Sequence, residues 1–168
     1  MRIGIMSDSH DNLPLIARAV ELFNREKVSL VLHAGDFVSP FTANALRDLN
    51  ARLVGVFGNN DGDKSFLQRR LHSIGELHED FCELELDSRK IVLMHQPKFL
   101  EALIASAKYD LIVYGHTHHV DIRQGTHVVV VNPGECGGWL TGTATVATID
   151  LETMAPTVFT IRAESTSS

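Results

Sequence analysis

Five short apolar runs, at 3–6, 30–32, 53–57, 91–94 and 111–114, constrain this chain more than any other feature, because helical and turn patterns separate them. Near-continuous apolar runs of this length read as strands buried on both faces, whereas a strand with one wet face alternates. Between the first two runs, Leu13, Ile16, Ala19, Val20 and Phe23 recur at helical spacing, with Asn12 as N-cap and Pro14 tolerable in the first turn. That is one β-α-β crossover. Residues 41–49 and 64–71 predict two further helices, and 97–107 a shorter fourth. After residue 72, Phe81, Glu83, Glu85 and Asp87 alternate with Cys82, Leu84 and Leu86 before Ser88-Arg89, which predicts a hairpin with one solvated face. Further β-rich runs at 128–131, 143–149 and 157–161 are broken by Asn132-Pro133-Gly134 and Gly137-Gly138. The expected fold class is α/β, two sheets packed face to face with helices outside. One domain is expected over 1–162, with a polar tail over 163–168.

A domain of 168 residues buries roughly 68–70% of its unfolded surface, so no disulfide staple is needed. Cys82 and Cys136 form no CxxC and read as reduced thiols, which suits a cytoplasmic protein. Only four residues, 3–6, separate Met1-Arg2 from Ser7-Asp8, too short a run for a signal or spanning segment, so no membrane partner is expected. The net charge of -6 opposes global attraction to a nucleic-acid polymer. Nine histidines are the unusual feature of the composition, since imidazole is a common transition-metal ligand.

Their placement is ordered. Asp8 and His10 follow the first run, Asp36 the second, Asn59 the third, His95 the fourth, and His116 and His118 the fifth. Loops beyond the carboxyl ends of strands line the ligand crevice of α/β sheets, so donors far apart in sequence can converge there. Carboxylate, imidazole and amide donors without thiolate suit a catalytic divalent ion better than a closed structural zinc site. Seven are too many for one ion. A carboxylate shared by two ions gives each four ligands and leaves positions for water and substrate. Asp36, central in the set, is the natural bridge.

The ordered motifs Asp8-Ser9-His10, Gly35-Asp36, Gly58-Asn59-Asn60-Asp61, His95 and Gly115-His116-Thr117-His118 resemble those of the calcineurin-like metallophosphoesterases, especially small single-domain bacterial and archaeal phosphodiesterases. The resemblance spans about residues 3–150 and implies a four-layer α/β/β/α sandwich. It implies one ion on Asp8, His10, Asp36 and His118, and another on Asp36, Asn59, His95 and His116. Manganese is the first choice, with iron, nickel, cobalt or zinc compatible with the same donors. Two such ions outweigh two ligand carboxylates and a bridging hydroxide, leaving a positive centre that attracts a phosphate ester and a hydroxide able to attack phosphorus. The implied function is a metal-dependent phosphodiesterase acting on small phosphate esters. A phosphomonoesterase with the same centre, or a noncatalytic metal-binding scaffold, are the alternatives, and a homo-oligomer is compatible with the chain.

Relatives commonly carry His where this chain has Asn60, a position expected to contact phosphate. An amide donates a hydrogen bond but cannot act as a general acid, so esters with acidic leaving groups are expected to be favoured. Asp61 is expected to orient a ligand or loop from behind. His33 reads as a core or supporting residue, His119 as a loop residue, and His72, His78 and His127 as surface. Asn132-Pro133-Gly134 matches a family segment near the metal loops. Within the specialised segment that follows, Glu135 to Trp139, Trp139 reads as a pocket wall or packing, and Cys136 shows no sign of a depressed thiol pKa.

Overall fold

The computed structural model of the protein describes residues 1–163, so the expected tail, apart from Ala163, lies outside the described residues. The first half comprises β1 (Arg2–Met6), α1 (Leu13–Arg25), β2 (Leu30–His33), α2 (Thr42–Leu46), β3 (Arg52–Val56), α3 (Lys64–Leu71) and β4 (Gly75–His78). Next come β5 (Phe81–Leu86), β6 (Arg89–Met94), α4 (Leu100–Ala105), β7 (Leu111–Val113), β8 (Val120–Gln124), β9 (Val129–Pro133), β10 (Ala144–Asp150) and β11 (Ala155–Ile161).

They form two mixed sheets, ordered β11-β10-β1-β2-β3-β4 and β5-β6-β7-β9-β8. Strands β1 to β4 are mutually parallel, as are β6, β7 and β9, while β10, β11, β5 and β8 are antiparallel additions at the sheet margins. Side-chain alternation then sorts the apolar residues into layers. Ile3, Ile5, Leu30, Leu32, Val54 and Val56 meet Ile91, Leu93, Leu111, Val113, Val129 and Val131 between the sheets. Met6, Val31 and Leu53 face the opposite way, onto Ile16 and Phe23 of α1, Leu46 of α2 and Leu67 of α3. Val92, Ile112 and Val130 cover the outer face of the second sheet with Leu100 of α4 and Tyr109. This is the anticipated four-layer sandwich, and each buried Leu, Ile, Val or Phe contributes about 1.5–3 kcal/mol of transfer free energy.

Local departures have tertiary causes. Asn12 occupies the N-cap position of α1 without capping it through its side chain; its Nδ2 instead donates to the Gly137 carbonyl at 2.7 Å. Pro14 does sit in the first turn. The helix expected over 41–49 stops at Leu46, because Asn24 of α1 takes the next backbone groups, donating to Asp48 O and accepting from Asn50 N, both at 2.9 Å. Helix α4 starts only at Leu100, after Phe99 adopts a left-handed φ of 59°. The β5–β6 hairpin turns on Asp87 and Ser88, both left-handed, as a two-residue type I′ loop requires. Strands β4 and β8 were not anticipated. The first has a single buried residue, Leu77, and the second is an exposed, charged edge.

Candidate metal centre

The parallel strands of both sheets end at one edge, and backbone hydrogen bonds join the loops that leave them. Asp8 N donates to Gly35 O (2.9 Å) and His10 N to Asp36 O (3.0 Å), which ties the loops after β1 and β2. Gly115 N donates to His95 O (3.0 Å), and Cys136 N and Gly137 N donate to Ser7 O and Asp8 O (2.8 and 2.9 Å). Asp8, His10, Asp36, His116 and His118 all have left-handed φ, between 43° and 69°. Asp and His tolerate that region better than most residues, and local strain of this kind collects at functional sites. The tight fit also explains Gly115, where a Cβ would lie 1.8 Å from Ser7 Oγ and 2.8 Å from Asp8 Oδ2.

All seven predicted donors lie along this edge. Asp8, His10 and His118 form one group, and Asp8, Asp36 and His95 another, each with ligand atoms within 4.8 Å of one another. Asp8 Oδ1 stands 3.9 Å from His10 Nε2 and 3.6 Å from His118 Nε2. Asp36 presents Oδ2 to His10 Nε2 at 3.6 Å and Oδ1 to His95 Nε2 at 3.5 Å. Asn59 Oδ1 lies 2.9 Å from His95 Nε2 and 3.0 Å from His116 Nδ1. The two carboxylates differ in freedom. Asp8 Oδ2 is already held by Ser7 Oγ (2.6 Å) and His116 N (3.0 Å), leaving Oδ1. Each oxygen of Asp36 accepts one bond from Asn60, through N (2.9 Å) and Nδ2 (2.8 Å), which leaves a lone pair on each for a further partner.

Asn60 therefore grips Asp36 through both backbone and side chain. Asp61 accepts from Gly58 N (2.6 Å), Val38 N (2.7 Å) and Asp36 N (3.2 Å), joining the loops after β2 and β3. Burial raises its carboxyl above the ordinary range despite the bonds from Gly58 and Val38. His33 is fully buried and stacked on Phe37, with Nδ1 accepting from Gly35 N (3.1 Å) and Nε2 3.0 Å from Ser9 Oγ. Burial lowers it to about 3, so it stays neutral. His72, His119 and His127 are exposed and His78 is half-buried. Asn132 donates Nδ2 to Gly115 O (3.1 Å) and Thr117 Oγ1 (2.9 Å), bracing the His116–His118 loop. Trp139 is largely exposed and donates Nε1 to His10 O (3.2 Å).

Sequence reasoning missed Glu135. Its fully buried carboxylate lies 3.1 Å from His118 Nδ1 and accepts from Trp139 N (3.0 Å), Leu140 N (3.0 Å) and Thr141 N (2.5 Å). Burial alone would raise its pKa, but the bonds from Thr141, His118 and Leu140 together push it down to about 2. An acidic residue in a glycine-rich loop after a strand was the available signal. Cys136 beside it is buried in the helix-side core, and burial pushes its thiol up to about 12.

These groups fit cations. Glu135 and the Ala34 carbonyl accept at Nδ1 of His118 (3.1 Å) and His95 (2.7 Å), so in the neutral rings Nε2 is the acceptor, and it stands beside a carboxylate oxygen at 3.6 and 3.5 Å. Among the described residues, Asp8 Oδ1 and His10 Nε2 are two of the buried side-chain atoms with no hydrogen-bond partner. Burial raises the Asp8 carboxyl above its ordinary range, against the bond from Ser7. Converging acceptors that repel one another are what a divalent ion stabilises.

The profile of the Calcineurin-like phosphoesterase superfamily domain matches residues 1–154. Phosphodiesterase MJ0936 of Methanocaldococcus jannaschii is 44% identical over 156 residues, covering 90% of this chain and 94% of the relative. A solved archaeal phosphodiesterase superposes with a TM-score of 0.90 at 41% identity, over 96% of this chain and all of that one (100%). A solved Escherichia coli phosphoesterase, YfcE, shares the fold at a TM-score of 0.69 and 19% identity, over 98% and 100% of the two chains. No helix among the described residues is long and apolar enough to cross a membrane.

Proposed function

The chain belongs to the calcineurin-like phosphoesterase superfamily, and we propose that it is a divalent-metal-dependent phosphodiesterase with a two-ion centre. Asp8, His10, Asp36 and His118 would hold one ion and Asp36, Asn59, His95 and His116 the other, manganese being the first choice. The observation that carries this reading is the double aspect of Asp36, whose two oxygens face His10 and His95 respectively. Ions held by these residues would supply Lewis-acid stabilisation of phosphoryl oxygens and a water of lowered pKa.

The chain's own residues do the positioning. Ser7 and His116 N immobilise one oxygen of Asp8 and so orient the other. Glu135 fixes the His118 ring, Ala34 O fixes His95, and Asn60 fixes both oxygens of Asp36. With Asn at position 60, that position lacks a proton to give the leaving group, which favours esters whose leaving group departs as a stable anion. The name of the 44% identical relative supports the diester preference.

The test is chelation followed by reconstitution with separate divalent metals, assayed on bis(p-nitrophenyl) phosphate and p-nitrophenyl phosphate. Chelation should abolish turnover, manganese should restore it, and the diester should be preferred. Metal analysis of Asp36→Ala should show loss of both ions. Activity insensitive to chelation, or an Asp36→Ala protein that retains one ion at full occupancy, would contradict the two-ion reading. Preference for the monoester would contradict the diester assignment alone.

A further inference from the structure

We propose that the cleft beside the metal centre receives a flat, uncharged aromatic substituent of the phosphodiester, an inference that rests on the phosphodiesterase reading above. The cleft encloses about 630 Å³ and is lined in part by Gly58, Asn59 and His95, so it is continuous with the donors. Pockets of this size accommodate ligands much larger than a methyl or ethyl group.

Apolar side chains make up about half of its wall. Phe57, Met94 and Tyr109 form buried parts of the lining, while Phe81 and Phe99 are 60% and 81% exposed. Tyr109 commits its hydroxyl to Glu83. Large apolar rings left this exposed at the lining of a cleft mark a surface made to be covered. Phe99 adds a second, independent observation: it has φ 59° at the start of α4, with no side-chain cap bond. A bulky residue in the left-handed region is a backbone outlier of the kind held at ligand clamps.

Charge narrows the occupant. Lys64 pairs with Glu79 at 2.9 Å and lies 4.9 Å from the centroid of the Phe57 ring, and Lys98 and Asp80 also line the cleft, so two cations and two carboxylates leave no net formal charge. A second phosphate or another strongly charged substituent would find no net counter-charge there. A neutral π-face finds Phe81 and Phe99, with stacking as the recognition mode. An aryl group and a nucleobase share this chemistry.

Three diesters with one common leaving group distinguish the sources: p-nitrophenyl methyl phosphate, p-nitrophenyl phenyl phosphate and the p-nitrophenyl ester of thymidine 5′-phosphate. The phenyl ester, the nucleoside ester or both should show a KM lower than the methyl ester by on the order of tenfold. That ratio should collapse towards unity in Phe81→Ala/Phe99→Ala and in Leu103→Gln, Leu103 being a further apolar residue of the lining. KM values that the variants leave unchanged for every ester overturn the proposal, whereas equal KM values that rise together in the variants place the nitrophenyl ring itself in the cleft. Methyl NMR of the zinc-loaded protein supplies a readout independent of turnover. Diphenyl phosphate should shift the Met94 resonance and dimethyl phosphate should not, and absence of that difference also overturns the proposal. Failure to hydrolyse any of the three esters would count against the phosphodiesterase reading, and the NMR titration would still decide the cleft.

Discussion

Glu135 shows how much of the centre depends on single residues that carry no recognisable motif. It holds His118 through Nδ1 and anchors the 139–141 backbone, so one carboxylate sets both a donor ring and the loop beside it. Replacing it with Gln removes the charge that polarises the imidazole. Glu135→Gln should lower metal affinity by roughly 10–100-fold, measured by calorimetric titration, with circular dichroism confirming the fold. Wild-type affinity would show that His118 needs no such partner. Asn60 gives a second expectation at this scale: Asn60→His introduces a potential general acid, so hydrolysis of alkyl esters should rise relative to aryl esters, by up to ~10²–10⁴-fold. Equal changes for both ester types would rule out a missing general acid. The seven donors were legible because each follows an apolar run. Glu135 was not, because only folding brings its loop against a histidine 17 residues earlier.

Elements place these residues through the loops at their carboxyl ends, and the loops tolerate little added volume. Gly115, just after β7, has Ser7 Oγ at 1.8 Å from where a Cβ would stand. Gly115→Ala must separate the loops after β1 and β7, at a cost of about 1–3 kcal/mol, which for a domain of this size lowers Tm by roughly 2–12 °C. Differential scanning calorimetry checks this, and an unchanged Tm would mean the loops yield freely. The buried strands and the β5–β6 hairpin were legible from period and turn chemistry. Strands β4 and β8 were not, since a sheet edge needs only backbone pairing on one side and imposes no apolar run on the sequence. Likewise the early end of α2 is decided by Asn24, a residue of another helix.

At the scale of the whole molecule, three apolar layers hold the sheets and helices together independently of any ion. The chelated protein should therefore remain folded. Ions at about 100 times their dissociation constant should then add ~2.7 kcal/mol per site and raise Tm by roughly 5–20 °C. Asp36→Ala should lose that metal-dependent rise, as thermal melts with and without chelator would show. His33 gives the fold a pH dependence of its own. Its pKa falls from 6.5 in the unfolded chain to about 3 when burial desolvates it. Between those values the unfolded state binds the proton and the folded state does not, so this contribution to stability is complete above pH 6.5 and is lost as pH falls towards 3. Urea titrations from pH 7 to 4 should give a shallower loss of stability for His33→Gln than for the parent chain, and parallel slopes would exclude His33 as the cause. The sequence by itself determined the α/β class, the strands that form the buried interior and the order of the donors, because periodicity and the residue after each strand are local properties. Only the tertiary structure decided that Asp36 faces two sides, that Glu135 backs His118 and that an aromatic cleft adjoins His95, because each depends on distances between loops of different strands.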